Sequence, residues 1–376
     1  RIFTVLIMTP LIFMSCDTQD ATYTVEVIDG VRHVHNLAPL WGDEQRVTLE
    51  FVQKIGELEG EDENYQFYRP AWIAKDSAGN IYVLDTGNCR IQVFNENGGY
   101  LRTIGRQGQG PGEFENPDYV YFDSEGNLYV AEPMNAKVVV LSPDDKESRR
   151  IRLDHTHDFV RIMHSGRFVM PVDAFKRLYS PELPEETNLA SLLETDGSLL
   201  KDFGRLHDFG DESITNLANS FDVAFDRGDN IYLVMSYLNR IEKYTPDAEM
   251  IFRADRPLNF EPTYDLRYLQ IEMFGRMNRV AQRNFTRVSR GIAVDSHDRV
   301  WIMTYLKDSR QVDDDEDPSD YMEFQLFDTE GVWLGRIPAP HEGIPVIIGD
   351  RLFIVDTEGE MCVYEYRIVE NLSIQY

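Results

Sequence analysis

Short runs rich in apolar, β-branched and aromatic residues alternate with polar turn residues along most of this chain. The clearest stretch runs from Pro70 to Gly105: Pro-Ala-Trp-Ile-Ala-Lys, Ile-Tyr-Val-Leu-Asp, Arg-Ile-Gln-Val-Phe-Asn and Tyr-Leu-Arg-Thr-Ile-Gly. Gly79-Asn80 joins the first two runs as a hairpin dipeptide, so the stretch predicts one antiparallel, four-stranded sheet. A lone sheet of that size cannot bury both faces, and stability requires the pattern to recur.

It does recur. Asp76-Ser-Ala-Gly-Asn-Ile-Tyr-Val-Leu-Asp is repeated at Asp123-Ser-Glu-Gly-Asn-Leu-Tyr-Val-Ala-Glu and again at Asp226-Arg-Gly-Asp-Asn-Ile-Tyr-Leu-Val-Met. Further copies stand at Asp295-Ser-His-Asp-Arg-Val-Trp-Ile-Met, at Gly349-Asp-Arg-Leu-Phe-Ile-Val-Asp and, in weaker form, at His164-Ser-Gly-Arg-Phe-Val-Met. Each is followed by another apolar strand. Six such units predict an all-β fold, a six-bladed β-propeller in which each blade buries its faces against its neighbours.

The unit resembles an NHL repeat, and Ile104-Gly-Arg-Gln-Gly-Gln-Gly-Pro-Gly-Glu-Phe114 is similar to that family's link between blades. Ile2 to Met14 is a nearly unbroken apolar run, too short to span a bilayer and suited to the core of a secretory signal. The Ser15-Cys16 pair after it resembles a bacterial lipobox. The whole chain is therefore similar to the bacterial six-bladed propeller lipoproteins. That resemblance implies lipidation at Cys16, a stable membrane anchor and an extracytoplasmic location.

The expected organisation is a signal over residues 1–16, a tether with an initial strand near Tyr23–Ile28 over 17–45, and the propeller over 46–376. Val47 to Ile55 reads like a fourth strand standing before any complete unit, while the last unit lacks one after Tyr366. Residues 47–55 are thus expected to complete the sixth blade and close the ring, removing an exposed edge. Cys89 and Cys362 fall in the first and last blades, which closure makes neighbours; they are either a disulfide staple or two unpaired thiols.

Three long departures from the repeat fall on one face of the disc: Pro171 to Ala190, Asp255 to Ser289 and Thr304 to Asp320. Insertions gathered on one side mark a functional face. Within the second, Leu266, Leu269, Met273 and Phe274 have helical spacing and predict a short helix over that face, as a lid or a fixed cap. The acidic run Asp313 to Asp317 lacks the pattern of a calcium loop and reads as solvated.

The channel mouth on that face should be lined by residues just before each inner strand and just after each second strand. The first set is Tyr68, Arg69, Asn116, Asp158, Asn219 and Arg290; the second is Asp85, Glu132, Asp173, Tyr237, Tyr305 and Asp356. Rings and charged groups together suit a polar small molecule or a glycan. Asp85 with Arg90, and Glu132 with Lys137, also have the spacing of turn-stabilising ion pairs. Resemblance to gluconolactonase-type propellers implies instead a divalent cation such as calcium, held by Asp85, Glu132 and Asp356 with Asn116 and Asp158. The pairs His33/His35 and His155/His157 have no third zinc ligand nearby.

Charge narrows the choices. A formal net charge of −28 argues against nucleic acid. Arg256, Arg267, Arg276, Arg279, Arg283 and Arg287 in the second insertion, with Arg290 directly after it, form a local exception, which keeps a carboxylate-bearing ligand in view. There is no nucleotide loop, nucleophile elbow or catalytic cysteine motif. The expectation is a monomeric, anchored propeller that binds a small molecule, glycan or envelope protein without catalysis. The alternative is a metal-dependent hydrolase or lyase acting on a sugar, lactone or uronate.

Overall fold

The second strand of blade 1, Ile81–Asp85, is buried along its whole length because alternate residues face two different neighbours. Tyr82 and Leu84 pack toward blade 2, and Ile81 and Val83 toward blade 6. The same division holds around the ring, so one apolar cluster fills each of six blade interfaces. The computed structural model describes residues 21–172, 188–273, 276–313 and 315–371. Cys16 with its leader, Asp173, most of the 171–190 insertion, Phe274 and Asp314 lie outside the described residues.

Blades 1, 2, 3, 5 and 6 are four-stranded antiparallel sheets, with inner strands Pro70–Lys75, Tyr119–Phe122, Arg161–Ile162, Ser289–Val294 and Ile344–Ile348. The inner strand of blade 4 is Phe221–Phe225. Val47–Ile55 pairs antiparallel with Val363–Glu370 as the outer strand of blade 6, which closes the ring as expected. The repeated Asp explains itself at the inner turns. Asp76 Oδ1 accepts from the Ala78 and Asn80 amides, both at 2.9 Å, while its Oδ2 accepts from the Asn80 side chain at 2.7 Å. Asp123, Asp226 and Asp295 hold their turns in the same manner. In the link between blades 1 and 2, Gly105 has φ +76°, and a Cβ there would stand 2.2 Å from the Phe114 ring. The glycine permits both the turn and the burial of Phe114 against the sheet edge.

The N-terminal segment does more than tether. Tyr23–Ile28 and Val31–Asn36 form a hairpin around Asp29-Gly30, whose φ values of +50° and +82° fit the twisted two-residue turn. Val31–Asn36 then adds parallel to Met250–Asp255, making blade 4 six-stranded. Asn36 ties the strap to two blades: its amide donates to the Asp255 and Gly331 carbonyls, and its Oδ1 accepts from the Trp333 amide. Leu40 and Trp41 donate to the Trp333 and Leu334 carbonyls of blade 5 before the chain enters blade 6. One segment thus laces three consecutive blades.

His35 sits in that lacing between Asp255 at 2.7 Å and Glu26 at 2.9 Å. Burial opposes its charge, but the hydrogen bonds to Glu26 and Asp255 outweigh burial and raise its pKa above the usual value. A raised histidine pKa contributes stability that is complete below about 6.5 and is lost as pH rises through the folded-state value. Amide protection factors over Tyr23–Ile28 should therefore fall as the pH is raised from neutral, and this pH response should vanish in His35→Gln. Equal responses in the two proteins would remove His35 from the docking of the strap.

One expectation is corrected, and one open alternative is decided. The stretch from Tyr264 is no helix: Tyr264–Met273 and Arg276–Phe285 form a two-stranded antiparallel hairpin, in register from Tyr264↔Phe285 to Met273↔Arg276. Tyr264, Leu266 and Tyr268 alternate with Asp265 and Arg267, and that period of two prevails over the helical spacing of Leu266, Leu269 and Met273. Of the two alternatives for Cys89 and Cys362, the structure has the unpaired one: both are free, buried thiols.

Candidate functional site

Arg290 is the extra residue of a β-bulge, where pairing between the first two strands of blade 5 skips from Ser289 to Gly291. A bulge re-aims its side chain out of the strand's regular alternation. The Arg290 guanidinium lies at the channel mouth with Nε 3.5 Å from Glu342 and Nη2 3.7 Å from Glu358. Glu342 is fixed by two phenols: Tyr305 donates to its Oε1 at 3.0 Å and Tyr321 to its Oε2 at 2.9 Å. The two rings lie near parallel, 6.4 Å apart. Burial, aided by the Glu342 charge, pushes the Tyr305 hydroxyl up to about 12, so it stays protonated as a donor.

Arg287 and Asp222 complete this mouth. Asp222, near the start of the blade 4 inner strand, is pushed above the usual carboxylate range by burial, against the pull of Arg287, Arg161 and Arg290. Arg287 has a buried Nε with no hydrogen-bond partner, and among the described residues no carboxylate comes within ion-pair distance of it. Its backbone amide donates to Ser309 Oγ at 3.0 Å, in the 304–320 insertion that Tyr321 directly follows. Below, Arg161 donates to Asp118 at 3.0 Å and lies over the Trp72 ring at 4.5 Å.

The other expected residues are spread out. Tyr68, Arg69, Asn116 and Asp158 are exposed around the rim. Tyr237 packs edge-on against Phe285 at 5.4 Å, and Tyr264 donates to the Tyr237 carbonyl, so this aromatic group is the foot of the hairpin. Asn219 is buried and accepts from the His207 amide. The arginine cluster divides: Arg267 and Arg283 are exposed on the hairpin, while Arg256 is buried and donates to Ser289 Oγ at 2.6 Å.

Asp85, Glu132 and Asp356 are not brought together. Asp85 accepts from the Tyr68 amide at 2.8 Å, from Asn88 at 2.9 Å and from Arg90 at 2.8 Å, all within its own blade. Glu132 accepts from the Glu115 amide at 2.8 Å and pairs with Lys137 at 3.1 Å. Asp356 accepts from the amides of Glu358, Gly359 and Glu360. Among the described residues, no group of three or more His, Cys, Asp or Glu is placed to hold a metal ion. Sequence reasoning missed Glu342, Tyr321, Arg287 as a mouth residue, and Asp222. Arg287 was visible only as one member of an arginine-rich stretch.

Comparison with curated proteins finds no match. Among solved structures, the chain is similar to a DUF4221 family member from Bacteroides vulgatus, with a TM-score of 0.53 and 9% identity over 87% of this chain and 100% of that one. It is also similar to a Bacteroides fragilis protein described as exported, with a TM-score of 0.53 and 11% identity over 88% and 96%. A gluconolactonase from Xanthomonas campestris gives 0.46 and 14% over 86% and 89%. At these identities the likeness shows the fold alone. The family model described as a 6-bladed beta-propeller, DUF5128, matches residues 58–272, more than half of the chain, and the chain belongs to that family.

Proposed function

We propose that this propeller works outside the cytoplasm, anchored through Cys16, as a non-catalytic binding protein that takes a carboxylate-bearing ligand such as a sugar acid at its loop-rich mouth. The observation that carries this reading is Arg287, whose buried Nε has no partner, beside Arg290, whose nearest carboxylates stand at 3.5 and 3.7 Å. Guanidinium donors held at a channel mouth without tight internal partners are suited to fork onto a ligand carboxylate. They stand out in a chain whose net charge is −28. The protonated Tyr305 and the tethered Glu342 orient Arg290 and offer a hydroxyl-bearing ligand further polar contacts. The apolar leader ending at Cys16 and the likeness to an exported propeller support the location.

The test is calorimetric titration of the protein with glucuronate, galacturonate and gluconate. Each charge-assisted hydrogen bond is worth about 1.5–3 kcal/mol, so Arg287→Ala and Arg290→Ala should each weaken a binder about tenfold or more. Arg267→Ala, on the hairpin, should not. Undiminished binding by both mouth variants would place the ligand elsewhere.

A further inference from the structure

Below the mouth, the central channel widens into a cavity of about 490 Å3 lined by the inner strands of all six blades. None of Asp222, Arg287, Arg290 and Glu342 lines it. A layer made by Arg161, Trp72 and Tyr119 stands between the two: the guanidinium is 4.5 and 4.9 Å from those rings, which are 4.8 Å from each other. The cavity runs from this layer to the inner turns, where Lys75, His164, Arg227 and Gly349 line it on the face opposite the insertions.

Three features define what fits. Each inner strand is the terminal strand of its sheet, so one backbone edge per blade turns hydrogen-bonding groups to the lumen. Trp72, Tyr121, Phe122 and Phe225 are only half-buried, and all four line this cavity. The charges nearly all cancel: Arg161 is paired with Asp118, Arg227 with Asp298, and Asp295 with Arg299. Lys75 is the exception, half-buried at the lower end with no carboxylate within ion-pair distance among the described residues.

We infer that this lower chamber is a second binding site, separate from the loop-rich mouth, for a small organic monoanion with a flat apolar ring. The ring lies among the four aromatic side chains and the anionic group meets Lys75. A volume of about 490 Å3 is within the range of pockets that enclose one small ligand. A half-buried lysine at the cavity's lower end with no counter-ion among the described residues favours a single negative charge there. Free strand edges provide for polar substituents on the ring.

The probe is 2-naphthoate, titrated into the full chain by calorimetry and by Trp fluorescence, with 2-naphthalenemethanol as its uncharged counterpart. The inference expects one saturable site for the acid, at least tenfold weaker binding of the alcohol, and at least a tenfold loss in Lys75→Gln. Lys75→Arg, which keeps the charge, should retain binding, and this guards against a folding defect in the Gln variant. Arg287→Ala should leave naphthoate affinity unchanged. No saturation at millimolar acid, equal binding of acid and alcohol, or indifference to Lys75→Gln overturns the lower site. Loss in Arg287→Ala with no loss in Lys75→Gln overturns it while supporting the mouth, and sugar acids failing where naphthoate succeeds does the reverse.

Discussion

Trp301→Ala is expected to lower the unfolding free energy by about 3–5 kcal/mol, the usual cost of emptying a large aromatic site. Trp301 is 0% exposed at the interface of blades 5 and 6, where its ring meets Phe324 edge-on at 5.6 Å. Rigid sheets hold both sides of that interface, so neighbours can only partly collapse into the void. Its indole also donates to Asp295 Oδ2 at 2.8 Å. Asp295 has other partners, the amides of His297 and Arg299 and the Arg299 side chain, so losing the indole bond alone is a smaller effect. Trp301→Phe should therefore cost about 1–2 kcal/mol, combining one lost hydrogen bond with a modest loss of volume. Equilibrium urea unfolding of the two variants separates packing from hydrogen bonding. An alanine variant within 1 kcal/mol of the parent would mean that this interface is far more plastic than close packing implies.

Lys137→Met should cost about 3–5 kcal/mol at neutral pH, because it leaves a buried carboxylate without its counter-ion. Glu132 is fully buried, with Lys137 Nζ 3.1 Å from Oε2 and a buried Oε1 that has no partner. Burial already pushes the Glu132 carboxyl above the usual glutamate range, against the pull of the Glu115 amide, Lys137 and Asn135. A raised carboxyl pKa means that the folded chain keeps a proton which the unfolded chain has released. Its contribution is favourable at low pH and is lost as pH rises through the folded value. Without Lys137 that value climbs further, so the deficit should shrink as the solution is acidified toward the glutamate range. Unfolding midpoints of parent and variant across pH 5 to 8 test this. A deficit that stays constant across that range would assign the loss to packing of the lysine stem.

How much of this was legible follows from where each signal resides. Blade number, strand order and ring closure each rest on local features: an Asp that caps its own turn at 76, 123, 226 and 295, and an apolar run beside it buried on both faces. The ion pairs of Asp85 with Arg90 and Glu132 with Lys137 were readable for the same reason, since hairpin partners are close in sequence. The strand near Tyr23–Ile28 was expected, but its hairpin partner Val31–Asn36 and the docking of that partner on blade 4 were not, because a strand edge specifies no partner. In the second insertion, Leu266, Leu269 and Met273 satisfied a helical period while their neighbours satisfied a strand period, and only the pairing with Arg276–Phe285 decided between them.

The mouth shows the division most clearly. The sequence by itself determined a six-bladed ring, and it placed Arg290 and Tyr305 at the mouth, because these depend on contacts within a blade or on the repeat's own geometry. Only the tertiary structure decided that Glu342 is held by Tyr305 and Tyr321 beside Arg290, that the buried Arg287 Nε lacks a hydrogen-bond partner and that Asp222 of another blade comes within electrostatic reach of both arginines. Those residues come from separate segments of the chain. They meet because closing the ring turns six inner strands toward one axis, and no spacing along the chain records which side chains then converge.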